Sequence, residues 1–130
     1  MTRWNSAIPT EDQEQAALVD WLQLHNILFT HVPNGGARDK VTGAILKRLG
    51  VSKGCPDILI FDRPPKAPEC AGVAIELKRR KGGQIRPEQA EWLEKLKVRG
   101  WVADVCRGAD DAIRLLEGLG FGKKGERTRR

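Results

Sequence analysis

An aspartate at the head of one aliphatic run and a Glu-x-Lys inside the next carry the strongest chemical signal in the chain. They are Asp57 in KGCPDILIF (53–61) and Glu76 and Lys78 in VAIELKRR (73–80). In an extended strand side chains alternate, so Val73, Ile75 and Leu77 point one way while Ala74, Glu76 and Lys78 point the other. If the two runs pair as neighbouring strands, Asp57 and Glu76 converge. Two carboxylates at the edge of a core stay ionised together only with a cation between them. An all-oxygen ligand set with positions left for water suits Mg²⁺ or Mn²⁺ rather than zinc. A lysine two residues beyond the glutamate can orient an attacking water or stabilise negative charge developing at phosphorus, which together describe phosphodiester hydrolysis. Each residue singly has a plainer reading: Asp57 as a turn or capping aspartate, Glu76 and Lys78 as a charged pair on a solvated strand face.

The elements that must position these residues follow from the pattern around them. Thr10 as N-cap, Glu11, Asp12 and Glu14 in the first turn, and Leu18, Trp21, Leu22 and Leu24 at helical spacing predict a helix from Thr10 to about His25. Ile27 to Val32 reads as a short strand, HVPNGGAR (31–38) as a loop, and Asp39 to Leu49 as a possible short helix weakened by Gly43. Pro56–Phe61 and Gly72–Lys78 are strands joined by the Pro-rich DRPPKAPECA, a connection that suits antiparallel pairing. Pro87 opens a helix that stops at Gly100, Trp101–Cys106 is a strand, and Asp110–Leu119 is a helix carrying Ala112, Ile113, Leu115 and Leu116. The order α-β-(α)-β-β-α-β-α predicts an α/β fold, a mixed sheet flanked by helices.

Four segments in order resemble one known family: TEDQEQAALVDWL (10–22), HVPNGGAR (31–38), GVSKGCPDILIF (50–61) and IELKRRKGGQIRPEQAEWLEKLKVRGW (75–101). With PD at 56–57 and ELK at 76–78, they are similar to the PD-(D/E)XK nuclease superfamily and, more narrowly, to its VRR-NUC (virus-type replication-repair nuclease) family, over about Thr10 to Leu116. The resemblance implies a restriction-endonuclease-like core, dependence on Mg²⁺ or Mn²⁺, and endonucleolytic cleavage of structured or branched DNA, with a four-way junction the best match, in repair, recombination or replication. It also implies a cytoplasmic, bacterial or phage-encoded protein. Position by position, Asp57 and Glu76 resemble the metal ligands, Lys78 the catalytic lysine, and Gln89 the glutamine that reaches back to the site. Glu11, four residues before Gln15, matches an E-x-x-x-Q pattern whose acid completes the metal shell. Glu14, one turn away, is its rival, and either could simply complement the helix dipole. Arg86 departs from the pattern by standing where a serine or threonine cap is expected before Pro87.

Further basic and glycine-rich positions suit DNA contact: Asn34 and Arg38 in the glycine loop, Lys53 before Gly54, Arg79 and Arg86. An ordinary Asn-Gly turn and a solvated strand end are the alternatives. The chain has 130 residues with a net charge of +6. Residues 123–130, KKGERTRR, carry +4 of it, which leaves +2 for the rest. Such an arm attracts polyanions without specifying chemistry. This length predicts one folded domain at 10–120, after an N-terminal segment (1–9) and before a basic, disordered tail (121–130). No apolar run is long enough to cross a bilayer, and MTRWNSAIPTED lacks the apolar stretch of a secretory signal, so a cytosolic setting is expected. Cys55, Cys70 and Cys106 have no metal-ligand spacing and read as thiols. Four Trp, three Phe and no Tyr argue against an aromatic platform for single strands. A single Asp-Glu-Lys set supplies one active site per chain, so symmetrical cutting of two strands implies a C₂ homodimer. The competing function is a DNA-binding module, without catalysis, whose nuclease site is vestigial.

Overall fold

Strand β3 (Val73–Lys78) organises the molecule because both of its faces are covered, and all six of its residues are buried. The structure, a computed structural model, describes residues 7–33 and 40–122. The other elements are α1 (Glu11–Leu24), β1 (Phe29–His31), α2 (Lys40–Arg48), β2 (Ile58–Ile60), α3 (Pro87–Val98), β4 (Val102–Arg107) and α4 (Ala109–Gly118). The strands form one sheet in the order β1-β2-β3-β4. β1 pairs antiparallel with β2, β2 antiparallel with β3, and β3 parallel with β4. A parallel pair needs a long crossover, which α3 supplies. The mixed α/β sheet expected from the sequence is therefore the fold, with the short helix near Asp39–Leu49 present as α2.

Alternation along β3 divides the interior in two. Val73, Ile75 and Leu77 join Ile58 and Ile60 against Leu18 and Leu22 of α1 and Ala112 and Leu116 of α4. On the opposite face Ala74 and Ala103 lie against Leu93 and Leu96 of α3, with Trp92 and Trp101 at the margin. Small residues on that face let α3 approach the sheet, which carries the start of α3 close to Glu76. Phe121 is buried in the first cluster. Phe121 and Gly122, the first two residues of the segment expected as tail, are among the described residues. Residues 123–130 lie outside the described residues.

Local chemistry explains where the helices begin. Thr10 Oγ1 accepts from the Gln13 N–H at 3.1 Å and Gln13 Oε1 accepts from the Thr10 N–H at 2.9 Å, a reciprocal cap of α1. Among the described residues no helix is long and apolar enough to cross a membrane, and the three cysteines form no disulfide.

Candidate active site

The β2–β3 register pairs Ile58 with Ile75, and one further step along the antiparallel ladder sets Asp57 opposite Glu76. Both fall on the α3 side of the sheet, the convergence on which the sequence argument depends. Asp57 Oδ2 accepts a hydrogen bond from the Leu77 N–H at 2.8 Å, which holds its carboxylate across the end of β3. Glu76 is 2% exposed. Its Oε2 accepts from Gln89 Nε2 at 3.0 Å and lies 3.6 Å from Lys78 Nζ. Glu76 Oε1 is buried, and no described residue donates to it.

Gln89 is held by both ends of its amide. Its Oε1 accepts from the Arg86 N–H at 2.9 Å while Nε2 faces Glu76. Arg86 itself supplies no side-chain cap, so the glutamine at the third helical position closes the N-terminus of α3 and reaches the site with one group. Gly54 makes this proximity possible. It adopts φ +91°, and a Cβ there would stand 2.7 Å from the backbone carbonyl carbon of Glu88. Only glycine lets the Lys53–Asp57 segment lie this close to the first turn of α3. The missing side chain of Gly54 thus serves packing.

The charges reinforce one another unfavourably. Burial, then the charge of Asp57, pushes the Glu76 carboxyl from its ordinary 4.5 up to about 8, against the pull of Lys78. Asp57 is also raised, chiefly by burial and in spite of the Leu77 N–H. Glu11 is raised by burial and by Asp57, with Lys78 opposing. Burial, then Glu76 and Asp57, raises the Cys55 thiol. One lysine does not neutralise this set, and a shared proton or a cation must. Among the described residues no three acid, histidine or cysteine side chains are drawn together at ligand distance. Asp57 and Glu76 would therefore hold an ion by two carboxylates, with remaining positions open, an arrangement suited to Mg²⁺ or Mn²⁺. The donorless Oε1 of Glu76 fits a cation in chemistry and in place.

The two acids of α1 divide their duties. Glu11 is the one that feels the charges of Asp57 and Lys78. Glu14, the rival from sequence, is 2% exposed and turned elsewhere. Its Oε1 accepts from the Ala109 N–H at 2.8 Å and its Oε2 from Arg80 Nε at 2.8 Å. Glu14 thus caps α4, whose N-cap Gly108 has no side chain to do so. Both oxygens of Glu14, the alternative offered for the metal shell, are thus engaged by these donors.

Of the positions expected to contact DNA, Lys53 and Arg86 are exposed. Arg79 reaches back instead, its Nε and Nη2 each 3.3 Å from the carbonyls of Pro9 and Ile8. Asn34 and Arg38 lie outside the described residues. Sequence reasoning missed Arg107, whose guanidinium donates to the carbonyls of Arg79, Gly82 and Gly83 at 3.2, 2.6 and 3.2 Å and pins the turn that follows Lys78. Beside the acid pair lies a cleft of about 410 Å³, bordered by Val32, Pro33, Leu46, Val51, Cys55 and Trp92.

A mixed sheet that sets a Pro-Asp carboxylate against a Glu-x-Lys strand, with a helix returning a glutamine to the glutamate, defines an α/β domain of nuclease type. The model of the VRR-NUC domain matches residues 9–110, and the chain belongs to the VRR-NUC family, a family of nucleases acting on DNA. A solved structure described as a VRR_NUC domain protein is similar with a TM-score of 0.70 and 27% sequence identity, over 86% of this chain and 88% of that one. No curated protein matches the chain significantly.

Proposed function

We propose that the chain is a Mg²⁺- or Mn²⁺-dependent endodeoxyribonuclease that hydrolyses phosphodiester bonds in structured or branched DNA, a four-way junction foremost, in repair, recombination or replication. The observation that carries this reading is the buried, donorless Oε1 of Glu76 opposite Asp57. Asp57 and Glu76 would hold the ion, and Glu11, which feels the charge of Asp57 from α1, would have to move inward to complete its shell. Such an ion, when bound, polarises a phosphoryl oxygen and offsets charge in the transition state. Gln89 keeps Glu76 Oε2 engaged, so that Oε1 is the oxygen left to bind. Lys78, nearly buried with Nζ beside Glu76 Oε2, keeps a fixed positive charge at the edge of the site, where it can orient water or meet negative charge growing at phosphorus. Lys53, Arg86, Arg79 and the basic C-terminal residues favour DNA by charge, and a C₂ pair of chains would present two sites to two strands.

The test is incubation of the purified protein with labelled junction, flap, duplex and single-stranded DNA, with Mn²⁺ and with chelator. Cleavage of the branched forms that requires Mn²⁺, and that Asp57→Ala or Glu76→Ala abolishes without loss of DNA affinity, supports the reading. Salt-sensitive binding with no scission under any divalent ion would establish a DNA-binding module instead. Equilibrium sedimentation at working concentration decides the dimer: a monomeric mass removes it.

A further inference from the structure

We propose that the cleft beside the Asp57–Glu76 pair receives a nucleobase, that of an unpaired nucleotide flanking the scissile phosphate. The inference rests on the nuclease reading above and adds to it what the substrate must offer. Three observations join the cleft to the site. Cys55 borders the cleft, stands two residues before Asp57 in the chain, and feels the charge of both carboxylates. Gln89 and Trp92 lie three apart on α3, one helical turn, which sets neighbouring side chains about 5–6 Å apart. The same helix thus offers an amide to the acid pair and, one turn on, an indole to the cleft. Trp92 is braced on its inner side by the second core cluster, so its ring is a fixed wall.

The volume and lining suit a base rather than a phosphate or a metal. About 410 Å³ falls in the range of small-ligand sites. Val32, Leu46 and Val51 offer apolar contact and Trp92 a ring against which any base can stack. Among the described residues that border the cleft there is no Lys or Arg, so these offer a phosphate no counter-charge, while the backbone phosphate one step away would lie toward the acid pair and Lys78. A base inside a duplex is stacked and paired and cannot enter. Junction, flap and gap ends expose such a base, and this selects branched over uniform duplex DNA without any base-edge reading.

The experiment uses the full chain and a branched DNA that it cleaves. An abasic tetrahydrofuran unit is placed in turn at each position around the cut, and kcat/KM with Mn²⁺ is compared with the normal strand. In Ca²⁺, 2-aminopurine at the same positions reports unstacking by fluorescence. Val51→Trp, at a half-exposed position on the cleft, fills it from the mouth, and thermal melting verifies its fold. The expected result is one position at which the abasic unit lowers kcat/KM about fivefold or more, the lower end of what one base–aromatic stack supplies. The 2-aminopurine signal rises there, and both effects are lost in Val51→Trp, which treats normal and abasic strands alike. Cleavage by wild type that ignores every abasic position overturns this inference alone. So does a Val51→Trp protein that changes oligomeric mass but keeps the discrimination, which would assign the cleft to a contact between two copies. Absence of cleavage of any DNA overturns the nuclease reading and this inference with it.

Discussion

Binding of a divalent ion by Asp57 and Glu76 must displace a proton. In the metal-free protein the Glu76 carboxyl titrates near 8, held there by burial first and by the charge of Asp57 second. It is therefore about nine-tenths protonated at pH 7 and about one-tenth at pH 9. A carboxyl ligates only when ionised, so Mn²⁺ binding at pH 7 should release close to one proton and at pH 9 about a tenth of one. The apparent association constant should rise about tenfold per pH unit from pH 6 toward pH 8 and level off above. Titration calorimetry in two buffers of different ionisation enthalpy reads the proton count directly. Glu76→Gln keeps the shape, removes the titration and should lose the binding. The same shift acts on folding: a carboxyl whose pKa is raised in the folded chain contributes stability that is full below its unfolded value of 4.5 and lost as pH rises through about 8. Without metal, the wild type should lose about 1 kcal/mol more than Glu76→Gln between pH 7 and pH 9. Affinity for Mn²⁺ that stays flat from pH 6 to 9, or a proton count unchanged in Glu76→Gln, would refute the reasoning.

Further predictions concern the neighbours of the pair. Lys78→Ala should cut turnover strongly while Mn²⁺ affinity, read by calorimetry, changes little, and full activity would remove its proposed role. Glu11→Gln should weaken Mn²⁺ binding with little change in urea stability, whereas Glu14→Ala should lose roughly 2 to 4 kcal/mol of stability, because it strips the α4 N-terminus and Arg80 of a buried partner. Gly54→Ala, at φ +91° and facing the Glu88 backbone, should lower stability by about 2 kcal/mol or more and slow cleavage by moving Asp57 away from α3. Ca²⁺ should support DNA binding, measured by anisotropy, with little cutting.

Local chemistry made much of this arrangement readable in advance. Alternation in VAIELK is a period-2 pattern that survives in any sheet, so the shared face of Glu76 and Lys78 followed directly, and the Pro-rich link to the previous strand suited antiparallel pairing, while the register that brings in Asp57 is seen only in the fold. Thr10 and Pro87 mark helix starts through bonds made within one turn. The division between Glu11 and Glu14 was not readable, because the two lie three apart on one helix and their fates depend on how α1 rolls against α4 and β3. Arg80, Arg107 and Gly54 were opaque for the same reason: their partners are Glu14, the carbonyls of the 79–83 turn and the backbone of Glu88, all set by tertiary approach. Charge alone marked Arg79 for DNA, while the structure engages it with the chain before α1.

The most direct measurement is anomalous diffraction from crystals of the protein grown with Mn²⁺. A manganese peak ligated by Glu76 Oε1 and by the Asp57 carboxylate is expected. Manganese bound only elsewhere, with Oε1 still unligated and cleavage intact, would contradict it.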